Sequence, residues 1–166
     1  MNQGVPEKFL KPYDAAATEG PIYKKWEESG YFNPDNLPEG NGKSFTIVMP
    51  PPNANGDLHA GHSLFITIED IITRYKRMRG FKALWIPGAD HAGFETQVVY
   101  EKKLEKEGRS RFGMDPNDLY NEILNFTLEN KKNMESQVRM LGASCDWSRE
   151  KFTLDHDVVD KTQKTF

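Results

Sequence analysis

The chain has 166 residues, with 37% hydrophobic and 28% charged residues and a formal net charge of −3. That length suits one domain with a real core and is too short for two large ones. The acid-leaning balance leaves no global basic footprint for nucleic acid.

Residues 1–11 hold no apolar run of the kind a secretory signal needs, and no apolar stretch approaches membrane-spanning length. The single cysteine, Cys145, can form no internal disulfide and belongs to no multi-cysteine metal pattern. A reducing, cytoplasmic setting is expected, and no metal site.

In chain order, the first expected element is a short helix opened by Pro21, carrying Ile22, Tyr23 and Trp26 on one face and stopped by Gly30. Residues 33–42 are dense in Asn, Pro, Asp and Gly and read as a loop. Residues 1–42 are therefore expected to form a helical segment and loop, set apart from a second unit at 43–166.

That unit opens with Ser44–Met49, a near-continuous apolar run rich in β-branched residues, which reads as a buried strand. Pro50-Pro51-Pro52 cannot continue a ladder, and Asn53–Asp57 is turn-forming. A helix follows from about Leu58–Gly61 to Gly80, with Leu64, Phe65, Ile68, Ile71, Ile72 and Tyr75 as its apolar face. Arg74, Lys76, Arg77 and Arg79 crowd its last turns, where cations are favoured; a solvated helix end is expected of them rather than a contact with RNA. Lys82–Ile86 reads as a second strand, broken by Pro87-Gly88. A helix is expected over Phe94–Glu107. Another, capped by Asp115 with Pro116 in its first turn, carries Leu119, Ile123, Phe126, Met134, Val138 and Leu141 on one face. A short strand at 152–154 and a helix from Asp155 complete the pattern. That last helix meets no stop signal before Phe166, which suggests a unit cut off at its C-terminal end. Strands alternating with helices predict an α/β fold with a parallel, Rossmann-like sheet, whose ligands lie beyond the carboxyl ends of the strands.

Two residue groups sit at such ends. His59 and His62, with Gly61 between them, share one face of a helix start. A helix N-terminus attracts anions, and imidazole N–H groups there can donate to phosphate oxygens. Gly61 lacks a side chain where a flat base could lie against the backbone. A plain surface or metal-binding histidine pair has the same spacing. Asp90, in Gly88–Gly93, follows the second strand and is placed to hold an ammonium group beside the first site, although without the histidine pair the cap of the next helix would be the favoured reading.

The segment Pro50–His62 resembles the His-x-Gly-His signature region of class I aminoacyl-tRNA synthetases. Arg74–Phe81, Leu84–Gly93, Thr96-Gln97 and Leu141–Glu150 resemble, in order and spacing, the segments that follow it in the valyl branch; the region of Tyr13 and Trp26 fits more loosely. Two places depart from the valyl pattern. Ala54-Asn55-Gly56-Asp57 is closer to isoleucyl enzymes, and Glu95 replaces a small residue.

The resemblance implies the first half of a class I catalytic domain, activating valine with ATP and Mg²⁺ and passing it to tRNA(Val). Carried over by position, His59 and His62 would be catalytic and would bind ATP with Gly61, while Pro50, Asn53 and Asp90 would bind valine and His91 would support the wall behind them. The family's Lys-Met-Ser-Lys-Ser motif is not found in this sequence and belongs to the other half of the domain, so the chain alone is expected to bind its substrates weakly. An isoleucyl enzyme, a nucleotidyltransferase sharing H-x-G-H, and a non-catalytic nucleotide-binding module are the competing readings.

Overall fold

In a computed structural model, which describes residue 6 and residues 9–166, the chain is α/β with parallel strand pairing. The expectation that residues 1–11 carry no signal falls mostly outside the described residues. Among those described, no helix is long and apolar enough to cross a membrane.

Helix α1 spans Ala15–Glu28 and starts six residues before Pro21, which lies inside it. Asp14 caps it by accepting from the Ala17 N–H at 3.1 Å, and a run of alanines propagates it. Strand β1 (Ser44–Val48) pairs in parallel with β2 (Lys82–Ile86), in the register Ser44 to Lys82 through Val48 to Ile86. Helix α2 (Ala60–Met78) crosses between them. After Pro87 comes a two-residue strand, β3 (Gly88–Ala89), which the sequence reading missed because Pro and Gly read as a break. It pairs in parallel with β4 (Lys151–Phe152). A single parallel bridge joins Asn53 to Asp90. The segment 82–90 thus runs centrally, with 44–54 on one side and 151–153 on the other. Helices α3 (Gly93–Lys106), α4 (Pro116–Met140) and α5 (His156–Thr165) complete the chain.

Two small apolar clusters hold these elements. One gathers Met49, Ile66, Trp85, Val138, Ala143 and Cys145; the other gathers Ala54, Ala89, Met134 and Phe152. Leu58, immediately before the first histidine, packs against both. Met134 and Val138 of α4 are buried as their periodicity predicts. Burial pushes the Cys145 thiol well above its ordinary pKa, so it stays protonated and packs as an apolar group.

Helix α2 does not bury its predicted face. Leu64 is 64% exposed and Ile71 61%, with Ile68, Ile72 and Tyr75 also open; of the six only Phe65 packs inward. The inward side carries Ile66 and Thr73 and a polar seam. Asp70 accepts from the Ser144 N–H (2.9 Å), the Ser144 hydroxyl (2.6 Å) and Arg74 Nε (2.6 Å). Arg74 also donates to the Gly142 carbonyl, and Arg77 to Ser144 Oγ, the Ser144 carbonyl and the Phe32 carbonyl. These two arginines are internal staples rather than a solvated helix end. The fixed guanidinium fork satisfies several carbonyls at once where the chain turns between α4 and β4. The N-terminal segment joins the same seam: Tyr23 donates to the Ala143 carbonyl at 2.8 Å, and Trp147 donates to the Tyr23 hydroxyl.

Replacing Asp70 with Ala strands the buried Ser144 N–H and hydroxyl and removes the acidic partner of Arg74. The expected loss is about 3 kcal/mol of unfolding free energy. Urea denaturation of the chain measures it, with Lys161→Ala, on an exposed pair, changing the unfolding free energy by less than about 0.5 kcal/mol. A loss under about 1 kcal/mol for Asp70→Ala would show that water replaces the carboxylate.

Candidate active site

The site is built where β1 and the 82–90 segment both run out. Pro50–Pro52 and Pro87 end the ladder donors, yet the backbone re-engages beyond them. The Asp90 N–H donates to the Pro52 carbonyl at 2.9 Å and the Ala54 N–H to the Asp90 carbonyl at 2.7 Å. Asn53 and Asp90 are therefore locked side by side. Pro50 and Asn53 are exposed there, and Asp90 is half-buried.

Asp90 does not cap α3. The cap position is Ala92, which makes no side-chain cap bond and sits at φ 49°, a left-handed conformation uncommon for a residue with a Cβ. The bend brings the Ala92 N–H to Asp90 Oδ1 at 2.9 Å. Thr153 Oγ1 lies 3.2 Å from the same oxygen. Oδ2 has no assigned partner among the described residues, so one carboxylate oxygen is anchored and the other is available.

The histidine pair forms the start of α2, and each ring serves the backbone. His59 Nδ1 accepts from the Gly61 N–H (3.0 Å) and the His62 N–H (3.4 Å), while His62 Nδ1 accepts from the His59 N–H (3.2 Å). The result is a capping box made from two imidazoles. The rings stack with centroids 3.8 Å apart. Because both Nδ1 atoms accept, both neutral rings carry their proton on Nε2. The expected supply of free helix N–H groups is thereby reduced: two of them point at His59, and outward donation falls to the two Nε2–H groups. Burial, then the neighbouring His59, lowers the His62 pKa below the ordinary 6.5. Gly61 has a local reason as well: a Cβ there would lie 2.9 Å from His59 Cε1 and 3.0 Å from Nδ1.

Residues far along the chain hold the turn that launches α2. Gln137 Oε1 accepts from the Leu58 N–H at 2.7 Å, and Asp57 Oδ1 accepts from Gln137 Nε2 (2.8 Å) and Asn133 Nδ2 (2.6 Å). The sequence carries no local signal for this clamp, since its partners lie 76 to 80 residues apart. Glu69 was missed too; it accepts from the indole N–H of buried Trp85 at 2.9 Å, and burial raises its pKa. Glu95, by contrast, stands exposed in the first turn of α3. Among the described residues, no group of three or more His, Cys, Asp or Glu side chains is arranged to hold a metal ion.

Two outcomes follow from the cap. Gly61→Ala displaces the His59 ring and costs about 1 kcal/mol of helix-start stability, read as lost hydrogen-exchange protection at Ser63 and its neighbours; unchanged protection would mean the ring yields without leaving its cap. Acidification acts in the same direction. The folded His62 pKa is depressed, so the unfolded chain takes up this proton first, and the stability contributed is full above about pH 6.5 and falls as the pH drops through the folded value. Protection at the start of α2 is expected to decline below pH 6.5, and to do so less in His62→Ala.

The sequence matches the profile of tRNA synthetases class I (I, L, M and V) over residues 21–166. It is 46% identical over 156 residues to the valine–tRNA ligase of Legionella pneumophila, covering 94% of this chain and 16% of that protein. It is 47% identical over 156 residues to the chloroplastic/mitochondrial valine–tRNA ligase 2 of Arabidopsis thaliana, with 94% and 16% covered. The valine–tRNA ligase of Pseudothermotoga lettingae is 44% identical over 154 residues, with 93% and 17% covered. The chain thus spans about a sixth of the length of these relatives. Among solved structures, the Agrobacterium radiobacter LeuRS–tRNA–LeuAMS ternary complex superposes with a TM-score of 0.73 at 25% identity, over 92% of this chain and 18% of that one. With its parallel α/β fold, its paired histidines at a helix start and its sequence agreement over most of its length, the chain belongs to the class I tRNA synthetase family.

Proposed function

We propose that the chain is part of a valine–tRNA ligase, with residues 43–166 as the first half of the nucleotide-binding catalytic domain and residues 1–42 as the helical segment and loop before it. The observation that carries this reading is the pairing of two outward Nε2–H donors at one strand end with a half-anchored carboxylate, Asp90, at the next. The identity to valine–tRNA ligases supports the choice of amino acid.

ATP enters with Mg²⁺ as the substrate complex. His59 and His62 donate to its phosphate oxygens, and the bare backbone of Gly61 leaves room for the adenine. The ammonium of valine pairs with Asp90 Oδ2, while Pro50 and Asn53 shape the pocket around it. A valine carboxylate oxygen attacks the α-phosphorus in line. The bond from that phosphorus to the bridging oxygen breaks, pyrophosphate leaves, and valyl-adenylate remains for transfer to the terminal adenosine of tRNA(Val). No enzyme nucleophile is required, so catalysis rests on positioning and on donors whose bonds strengthen as charge builds.

The other half of the catalytic domain is the remaining partner. The open apolar stripe of α2 and the exposed Val48 on β1, which among the described residues is paired on one side only, support a covering surface there. Alone, the chain binds ATP and valine weakly. A lone buried thiol suits the cytoplasm.

Exchanging the matched segment of the Legionella enzyme for this chain tests the assignment. Valine-dependent ATP–pyrophosphate exchange is expected from the chimera and only background from the chain alone. His62→Ala in the chimera lowers kcat by on the order of 100-fold with little change in the valine KM. Faster exchange with isoleucine would overturn the choice of amino acid, and full exchange by the isolated chain would overturn the division of the site.

A further inference from the structure

Thr153 follows β4 and stands opposite Asp90 in the ladder that pairs Gly88 with Lys151 and Ala89 with Phe152. Its own N–H donates to the Ala89 carbonyl at 3.1 Å, so its backbone is fixed. Among the described residues, its hydroxyl oxygen has three polar neighbours. The His91 N–H donates to it at 2.8 Å, His91 Nδ1 lies at 2.6 Å, and Asp90 Oδ1 lies at 3.2 Å.

A threonine hydroxyl has one proton and two lone pairs. An ionised Asp90 can only accept, so the hydroxyl proton belongs on the Asp90 side. One lone pair takes the His91 N–H. The other is left for His91 Nδ1, which must then carry a hydrogen and donate it. Every position on the hydroxyl is used in one way only, and that arrangement sets the His91 tautomer.

We propose that Thr153 is a positioning residue for Asp90, and that His91 holds Thr153 in place through an Nδ1–H donor. Asp90 Oδ1 is pinned from two sides, by the Ala92 N–H and the Thr153 hydroxyl, which turns Oδ2 toward the ammonium of the bound amino acid. This rests on the amino-acid role of Asp90 given above. His91 touches no reacting atom; it acts through Thr153 and Thr153 acts through Asp90.

The first measurement needs no substrate. In the 166-residue chain, ¹⁵N shifts of the His91 ring at neutral pH are expected to report a protonated Nδ1, and Thr153→Val is expected to remove that preference while Thr153→Ser keeps it. A proton resident on Nε2 with a bare Nδ1 would overturn the arrangement. The second measurement uses the Legionella chimera. Thr153→Val is expected to raise the valine KM about tenfold, the scale of one lost hydrogen bond to a charged group, with the ATP KM unchanged and Thr153→Ser restoring it. An unchanged valine KM, or equal losses toward both substrates that serine fails to rescue, would overturn the positioning role. Asp90→Asn separates the two ideas. If it leaves the valine KM untouched while the His91 tautomer is as stated, the amino-acid role of Asp90 falls and the hydrogen-bond network stands.

Discussion

The bridge between Asn53 and Asp90 is the constraint on which the site depends. Proline interrupts both strands just before it, so neither segment can reach this point by ordinary ladder continuation. Two backbone hydrogen bonds, from Asp90 to Pro52 and from Ala54 to Asp90, restore the pairing past the interruption. Two divergent strand ends thereby become a rigid rim. The polypeptide leaving one side of the rim turns into the histidine helix, and the polypeptide leaving the other turns through Ala92 into α3. The spacing between the paired histidines and the Asp90 carboxylate is thus set by backbone, which neither side chain could achieve by itself.

A second layer keeps the rim in place from behind. Helix α2 is tied down by Asp70, Arg74 and Arg77 against Gly142 and Ser144, and the turn before it is held at Asp57 and Leu58 by Asn133 and Gln137 of α4. Polar seams of this kind specify one alignment, because a shifted register would leave several buried donors and acceptors unpaired at once. An apolar face could slide by a residue at smaller cost. The helix that presents the histidines is therefore aligned by hydrogen bonds on its inner side, leaving its apolar stripe free for another surface.

Much of this was legible in the sequence where punctuation is strong. The Gly80, Gly108 and Gly142 stops and the Asp115-Pro116 start bound the helices closely, and β2 falls where its residues predict. The start of α1 was misplaced because Pro21 reads as a first-turn residue, while Asp14 and the alanines before it already supply the cap and the propensity. Periodicity found the apolar stripe of α2 correctly but could not say what covers it. The histidines and Asp90 were visible as residue types. Their constraints were not: the Asp57–Gln137 clamp and the Asp90–Thr153 contact join residues far apart in sequence, and hydrogen bonds of that kind leave no local pattern.

The stacked caps also bear on what the pair refuses. Two histidines three apart on a helix are a ready chelate for zinc or nickel, and a polypeptide in a cell meets both. Here each Nδ1 lone pair is turned into its own helix, and each outward nitrogen carries a hydrogen. To seize a metal, both rings would have to exchange tautomers, and the first turn of α2 would lose its caps in the same event. The caps of the helix start thus set the tautomer of both rings, and a metal could be held there only at the expense of those caps.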